Sequence, residues 1–124
     1  MAFQKTGFNT GQETGITLEA SVTTSGFIVG QKHKLSIQAI IANTDAVGTL
    51  AIEGSNDGTN WVTVGFKDET DTAQTTLTVA SGTDVNHVFS INDAVLAQYR
   101  VVYTRTSGSA SNTLALHALS KKSF

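Results

Sequence analysis

A chain of 124 residues with a formal net charge of −2 and no cysteine has the size of one ordinary domain and can hold no disulfide or thiolate metal site. Only 15% of its residues are charged, well under the roughly one-quarter usual for globular domains, and the slight acidic balance argues against nucleic acid held by phosphate neutralisation. No apolar run is long enough to cross a bilayer as a helix, so no membrane partner is expected. Met1–Lys5 lacks the apolar stretch of a secretion signal, so the expectation is a native start on a protein made in the cytoplasm and not exported by that route.

Residues 1–15 are polar and glycine-rich without clear periodicity, and read as an extended N-terminal arm whose only large apolar groups are Phe3 and Phe8. Fully extended, such an arm reaches roughly 50 Å, enough to contact a neighbouring subunit. From Ile16 the pattern alternates: Ile16, Leu18, Ala20 and Val22 share one face. Phe27–Val29 is a short apolar piece between glycines, and His33–Asn43 alternates again with Leu35, Ile37, Ala39 and Ile41 inward. A period near two, rather than 3.6, marks strands.

Thr49–Gly54 and Trp61–Phe66 alternate on either side of Ser55–Asn60, where Asp57-Gly58 predicts a hairpin turn because glycine takes positive φ without Cβ strain. Leu50 and Ile52 share a face before the turn, and Val62, Val64 and Phe66 share one after it. Lys67–Gln74 is the most charged loop, and Thr75–Ala80, Asn86–Ile91, Tyr99–Thr104 and Thr113–Leu119 complete the alternating segments. Asn92-Asp93 before Ala94–Ala97 predicts one capped helical turn. About eight strands at this spacing, rich in β-branched threonine, predict an all-β fold: an antiparallel β-sandwich, jelly-roll-like, over 16–120, with a solvated tail at 121–124.

Little in the chain points to catalysis. His33, His87 and His117 fall in no metal-binding spacing, though His33 and His87 share core parity near strand starts and could meet at one end of the sandwich. Asp57 and the Asp68, Glu69, Asp71 group fit no calcium-loop pattern, and no nucleophile elbow or phosphate-binding glycine loop is present. The expectation is therefore no catalytic residue, no metal and no cofactor. Trp61, Phe66, Tyr99 and Tyr103 are the aromatics that could line a sugar-binding face, against the more ordinary role of core and hairpin packing.

The hairpin Gly54-Ser55-Asn56-Asp57-Gly58-Thr59-Asn60-Trp61, with the later Tyr99-Arg100-Val101 strand, resembles small β-sandwich virion proteins of tailed bacteriophages. Capsid decoration (cement) proteins and tail-associated sandwich proteins are the closest in size, and the first of these is the leading expectation. That resemblance implies a structural protein on the capsid exterior, a homotrimer bound to the major capsid protein of the same phage, with Phe3 and Phe8 making contacts and Trp61 holding the hairpin. The same elements also resemble discoidin-like (F5/8 type C) domains, which implies a glycan-binding module of a tail or fibre using Trp61, Tyr99 and Tyr103. Gln98-Tyr99-Arg100 keeps that family's tyrosine but not the arginine before it, and its frequent disulfide is impossible here.

Overall fold

The computed structural model describes residues 11–28, 34–82 and 84–121. Phe3, Phe8 and His33 lie outside the described residues.

The fold is all-β, with two antiparallel sheets packed as a sandwich. Its strands are β1 (Gly11–Thr17), β2 (Val22–Thr23), β3 (Phe27–Ile28), β4 (Lys34–Ala42), β5 (Val47–Ser55) and β6 (Val62–Val64), followed by β7 (Phe66–Lys67), β8 (Ala73–Gln74), β9 (Leu77–Val79), β10 (Val85–Ile91), β11 (Gln98–Ser107) and β12 (Thr113–Lys121). The first sheet runs β1-β12-β4-β10-β7-β8. The second runs β2-β11-β5-β6, with β3 on the β11 edge and β9 on the β5 edge.

Twelve strands replace the expected eight or so for a simple reason. β2 and β3 share one edge of β11, and β6 and β9 share one edge of β5, so each pair acts as one interrupted strand. What remains is a jelly roll, β1-β12-β4-β10 facing β2/β3-β11-β5-β6/β9, with the β7-β8 hairpin added at the margin of the first sheet.

Alternation places the core. Leu35, Ile37, Ala39 and Ile41 of β4 are buried, opposite Leu50 and Ile52 of β5 and Tyr99, Val101 and Tyr103 of β11. Phe89 of β10 meets Phe66 of β7 edge to face, with ring centroids 4.6 Å apart. The predicted Val62, Val64, Phe66 face is broken: Phe66 is buried but Val62 is 58% exposed. At Gly65 the chain leaves the second sheet for the first, so the two ends of that segment belong to different layers.

Three other expectations change. β1 begins at Gly11, inside the segment read as an arm, and carries a bulge between Glu13 and Ile16 where Gly15 has φ 71°. Ile16 and Leu18 are buried as predicted, but β1 ends at Thr17 and Ala20 is exposed. No helical turn forms at Ala94–Ala97; the Leu96 amide donates to the Tyr99 hydroxyl at 3.1 Å and the Ala97 amide to Asn56 Oδ1 at 2.9 Å. Those side-chain acceptors take amides that a helix would have bonded to its own carbonyls.

Two buried asparagines, invisible as such in the sequence, close the opposite end of the sandwich. Asn43 accepts from the Ala46 amide at 2.7 Å and donates to the Ala80 carbonyl at 2.6 Å. Asn112 accepts from the Thr44 amide at 2.6 Å and the Asp45 amide at 3.1 Å, and donates to the Ser109 carbonyl at 3.0 Å.

Candidate binding face

The hairpin between β5 and β6 is built around one carboxylate. Asp57 Oδ1 accepts from the Thr59 amide at 2.9 Å, the Asn60 amide at 2.8 Å and the Ser55 hydroxyl at 3.0 Å, while Oδ2 accepts from the Asn60 side chain at 2.7 Å. The Asn60 amide and side chain, followed by Thr59 and Ser55, hold the Asp57 carboxyl well below the usual carboxylate range. Gly58 has φ 76°, as the Asp-Gly pair predicts. Asn56 reaches across to Ala97, so the loop is pinned to the connection between β10 and β11.

This fixed loop delivers Trp61 onto the outer face of the second sheet. The Arg100 guanidinium lies 4.1 Å from the centroid of its ring, close enough for a cation–π contact. Arg100 is itself held by Glu53 on the neighbouring strand, with Nε at 2.8 Å and Nη2 at 2.7 Å from the same carboxylate oxygen. The far edge of the indole comes against Gly26, where a Cβ would stand 3.0 Å from the ring. Trp61 ends half-buried, supported from below and fixed at its edge.

Register extends the face along the sheet. Arg100, Glu53 and Thr63 align across β11, β5 and β6, and Thr104, Thr49 and Thr78 align across β11, β5 and β9. Val102 and Ala51 lie between these rows. Because Leu50 and Ile52 point into the core, their alternates Thr49, Ala51 and Glu53 point outward. The two rows are four residues apart, or about 14 Å along the strands.

The remaining aromatics are placed otherwise. Tyr99 and Tyr103 are each 1% exposed and Phe66 is 4% exposed, so all three belong to the core. That corrects the expected place of Tyr99 and Tyr103, which pack in the core and do not line an outer face with Trp61. β11 reads Gln-Tyr-Arg-Val-Val-Tyr-Thr-Arg, and its alternation puts both tyrosines beside Val101; that signal was present in the sequence. Arg100 and Glu53, absent from the sequence candidates, are the groups that join Trp61.

The acidic loop does structural work. Asp68 accepts from the Thr70 and Thr72 amides at 2.9 and 3.0 Å, and its pKa is lowered to about 2, chiefly by the Thr70 hydroxyl and the Thr72 amide. Glu69 reaches β10, accepting from the Val88 amide at 3.0 Å and meeting His87 Nδ1 at 3.1 Å. Asp71 pairs with Lys67 at 3.6 Å. Among the described residues no three histidine or carboxylate side chains converge as a metal would require. An open cleft of about 670 Å³ lies where the chain passes between sheets, floored by Val64, Phe66 and Ile91 and rimmed by Lys67, Gln74 and Asp93.

No family model and no curated protein sequence matches the chain. Among solved structures, the SPBc2 prophage-derived protein YomS aligns with a TM-score of 0.66 at 9% identity, covering 89% of this chain and 91% of that one. The N-terminal cellulose-binding domain of β-1,4-glucanase C from Cellulomonas fimi aligns with a TM-score of 0.44 at 15% identity, over 90% of this chain and 78% of that one. At such identities the likeness is one of fold, and the better match is a sandwich that a prophage-derived protein shares over nearly its whole length.

Proposed function

We propose that the protein is a structural component of a bacteriophage particle, of the capsid decoration type, which binds the outer shell and stabilises it by bridging capsomers. The observation that carries this reading is the end-to-end alignment with a prophage-derived protein: one jelly roll accounts for 89% of this chain and 91% of that chain. The charge-poor, cysteine-free sequence is in keeping with it.

The protein acts by contact, without turnover, and its partners are the major capsid protein and further copies of itself, as a homotrimer at local three-fold positions. Particle stability rises because anything that binds only the assembled state shifts the equilibrium toward it. Phe3 and Phe8 are the apolar anchors of this contact. Addition of a partner strand falls to β1 and to the length of β10 that the two-residue β7 leaves unpaired, since β2, β3, β6, β8 and β9 at the other margins are two or three residues long.

Purified protein added to heads that lack it should co-sediment with them and raise the temperature at which they release DNA. Failure to bind, together with unchanged stability of heads made without the protein, would reject the proposal.

A further inference from the structure

We infer that the cleft between the two sheets is the docking site for the chain's own N-terminal segment, residues 1–10, with the Phe3 side chain seated on the floor of Val64, Phe66 and Ile91. This docking belongs to the free protein and stands apart from the shell reading; a Phe3 that also anchors a shell must leave the cleft first.

The cleft has the makings of a receptor. A volume of about 670 Å³, an apolar floor and a few polar groups on the rim are the features of a site that takes a ligand. Apolar surface continues past the rim. Among the described residues three large hydrophobic side chains are exposed, Ile40, Val62 and Val95, and two of them flank this opening. Val62 is two residues from Val64 and so lies on the same side of β6. Val95 adjoins Leu96, which packs beside Val64 where a Cβ on Gly54 would meet both. Hydrophobic groups gathered at one opening mark a contact site, whereas single scattered ones do not.

Register determines what lies within reach. Gly11 of β1 is level with Ala118 of β12, Ala118 with Ile37 of β4, and Ile37 with Phe89 of β10. Because β1 is antiparallel to β12, the chain before Gly11 heads toward the sheet end that holds Lys121, Lys34 and, bonded to Lys34, Asn92 of the cleft wall. β1 and β10 stand three strand spacings apart, about 14 Å, and the cleft wall begins one residue past Phe89, so the gap is roughly 15–20 Å. Phe8, three residues from Gly11, reaches about 10 Å and falls short, whereas Phe3, eight residues away, reaches about 27 Å. Lys5, on the same side of an extended chain as Phe3, is then carried to the rim carboxylate of Asp93. The segment of the same molecule is favoured over a neighbour's, because a tether that spans the gap holds it at roughly millimolar effective concentration.

The chain has no cysteine, so an introduced pair reports proximity alone. In the full chain, Ala2→Cys paired with Thr75→Cys on the cleft wall should oxidise to a disulfide within one molecule. Ala2→Cys paired with Ala110→Cys, in the exposed turn at the opposite end, should do so about tenfold more slowly or less. Trypsin cleavage after Lys5, followed by mass spectrometry, reads docking without any new thiol. Phe3→Ala should speed that cleavage by about tenfold or more, and Phe8→Ala should leave it within about twofold. Gly65→Leu fills the cleft from within, since a Cβ there has only the Gln74 carbonyl within 4 Å, at 3.8 Å. It should match Phe3→Ala with the melting temperature unchanged. Phe3→Ala alters no residue of the described sheets, and decides the matter if Gly65→Leu does not fold. Cleavage indifferent to Phe3→Ala, equal disulfide rates for the two pairs, or a disulfide that joins two chains would overturn the proposal. The last result would give the cleft to a neighbour's segment.

Discussion

Tyr99 and Tyr103 lie four residues apart on β11, are each 1% exposed, and should nevertheless respond in opposite ways to loss of the hydroxyl. The Tyr99 hydroxyl accepts the Leu96 amide at 3.1 Å, in a connection where no helix supplies another acceptor. Tyr99→Phe leaves that amide without its partner, at a cost of about 1–2 kcal/mol. For a domain of this size that is a fall in melting temperature of roughly 4–8 °C. The Tyr103 hydroxyl is buried with no hydrogen-bond partner. Its desolvation is already uncompensated in the folded state, so Tyr103→Phe should be neutral or stabilising by up to about 1 kcal/mol. Calorimetric melts and urea titrations of the two single variants and the double variant test this, with equal m-values confirming that neither change alters the unfolded state. Two variants that fall together, or a Tyr103→Phe loss above about 1 kcal/mol, would refute the assignment of hydroxyl partners.

Other consequences follow from the loops. Gly58→Val should cost about 1 kcal/mol or more in urea titrations, since the turn holds φ at 76° and a Cβ would meet the Gln98 side chain at 3.0 Å. Asn112→Ala strands the Thr44 and Asp45 amides at a fully buried position, so a loss of about 3 kcal/mol is expected in the same assay. Glu69→Ala removes the acceptor that covers the Val88 amide on β10; stability should change by less than about 1 kcal/mol, while light scattering should show faster association of the uncovered strand.

Two-fold periodicity made the interior legible. Leu35, Ile37, Ala39 and Ile41 occupy the face their spacing assigned, and the Asp57-Gly58 pair forms the predicted turn. Periodicity fails where a strand changes sheet, as at Gly65, because the alternation then refers to two different layers. It also says nothing of partners far along the chain. Glu53 and Arg100 are 47 residues apart and become neighbours only through the β5–β11 register, and Asn112 meets Thr44 across 68 residues. Asparagine in a loop is the usual surface residue; nothing local distinguishes one that will be buried as the acceptor for two backbone amides. The binding face was half legible for the same reason. Trp61 is conspicuous in the sequence, while the pair that supports it is a product of strand order.

The margins of the sheets bear on how the protein is held to a shell. β1 is a long strand at a sheet margin, and it is poorly secured. Its ladder with β12 is interrupted at the bulge, and Glu13, opposite Leu116, is 5% exposed with neither carboxylate oxygen hydrogen-bonded. Burial raises the Glu13 pKa above its ordinary 4.5. Below that value neither the folded nor the unfolded state carries the charge and no stability is lost. As pH rises through the higher folded value, the unfolded chain ionises freely and the folded state is penalised. Glu13→Gln should therefore raise the melting temperature at pH 7 and have little effect at pH 4, a difference that a pair of calorimetric scans reads. If Phe3 and Phe8 hold the shell, force on the particle reaches the domain through β1, and the same substitution should lengthen retention on heated heads. A higher melting temperature with unchanged retention would place the shell contact on a sheet face or loop, and remove the arm from the mechanism.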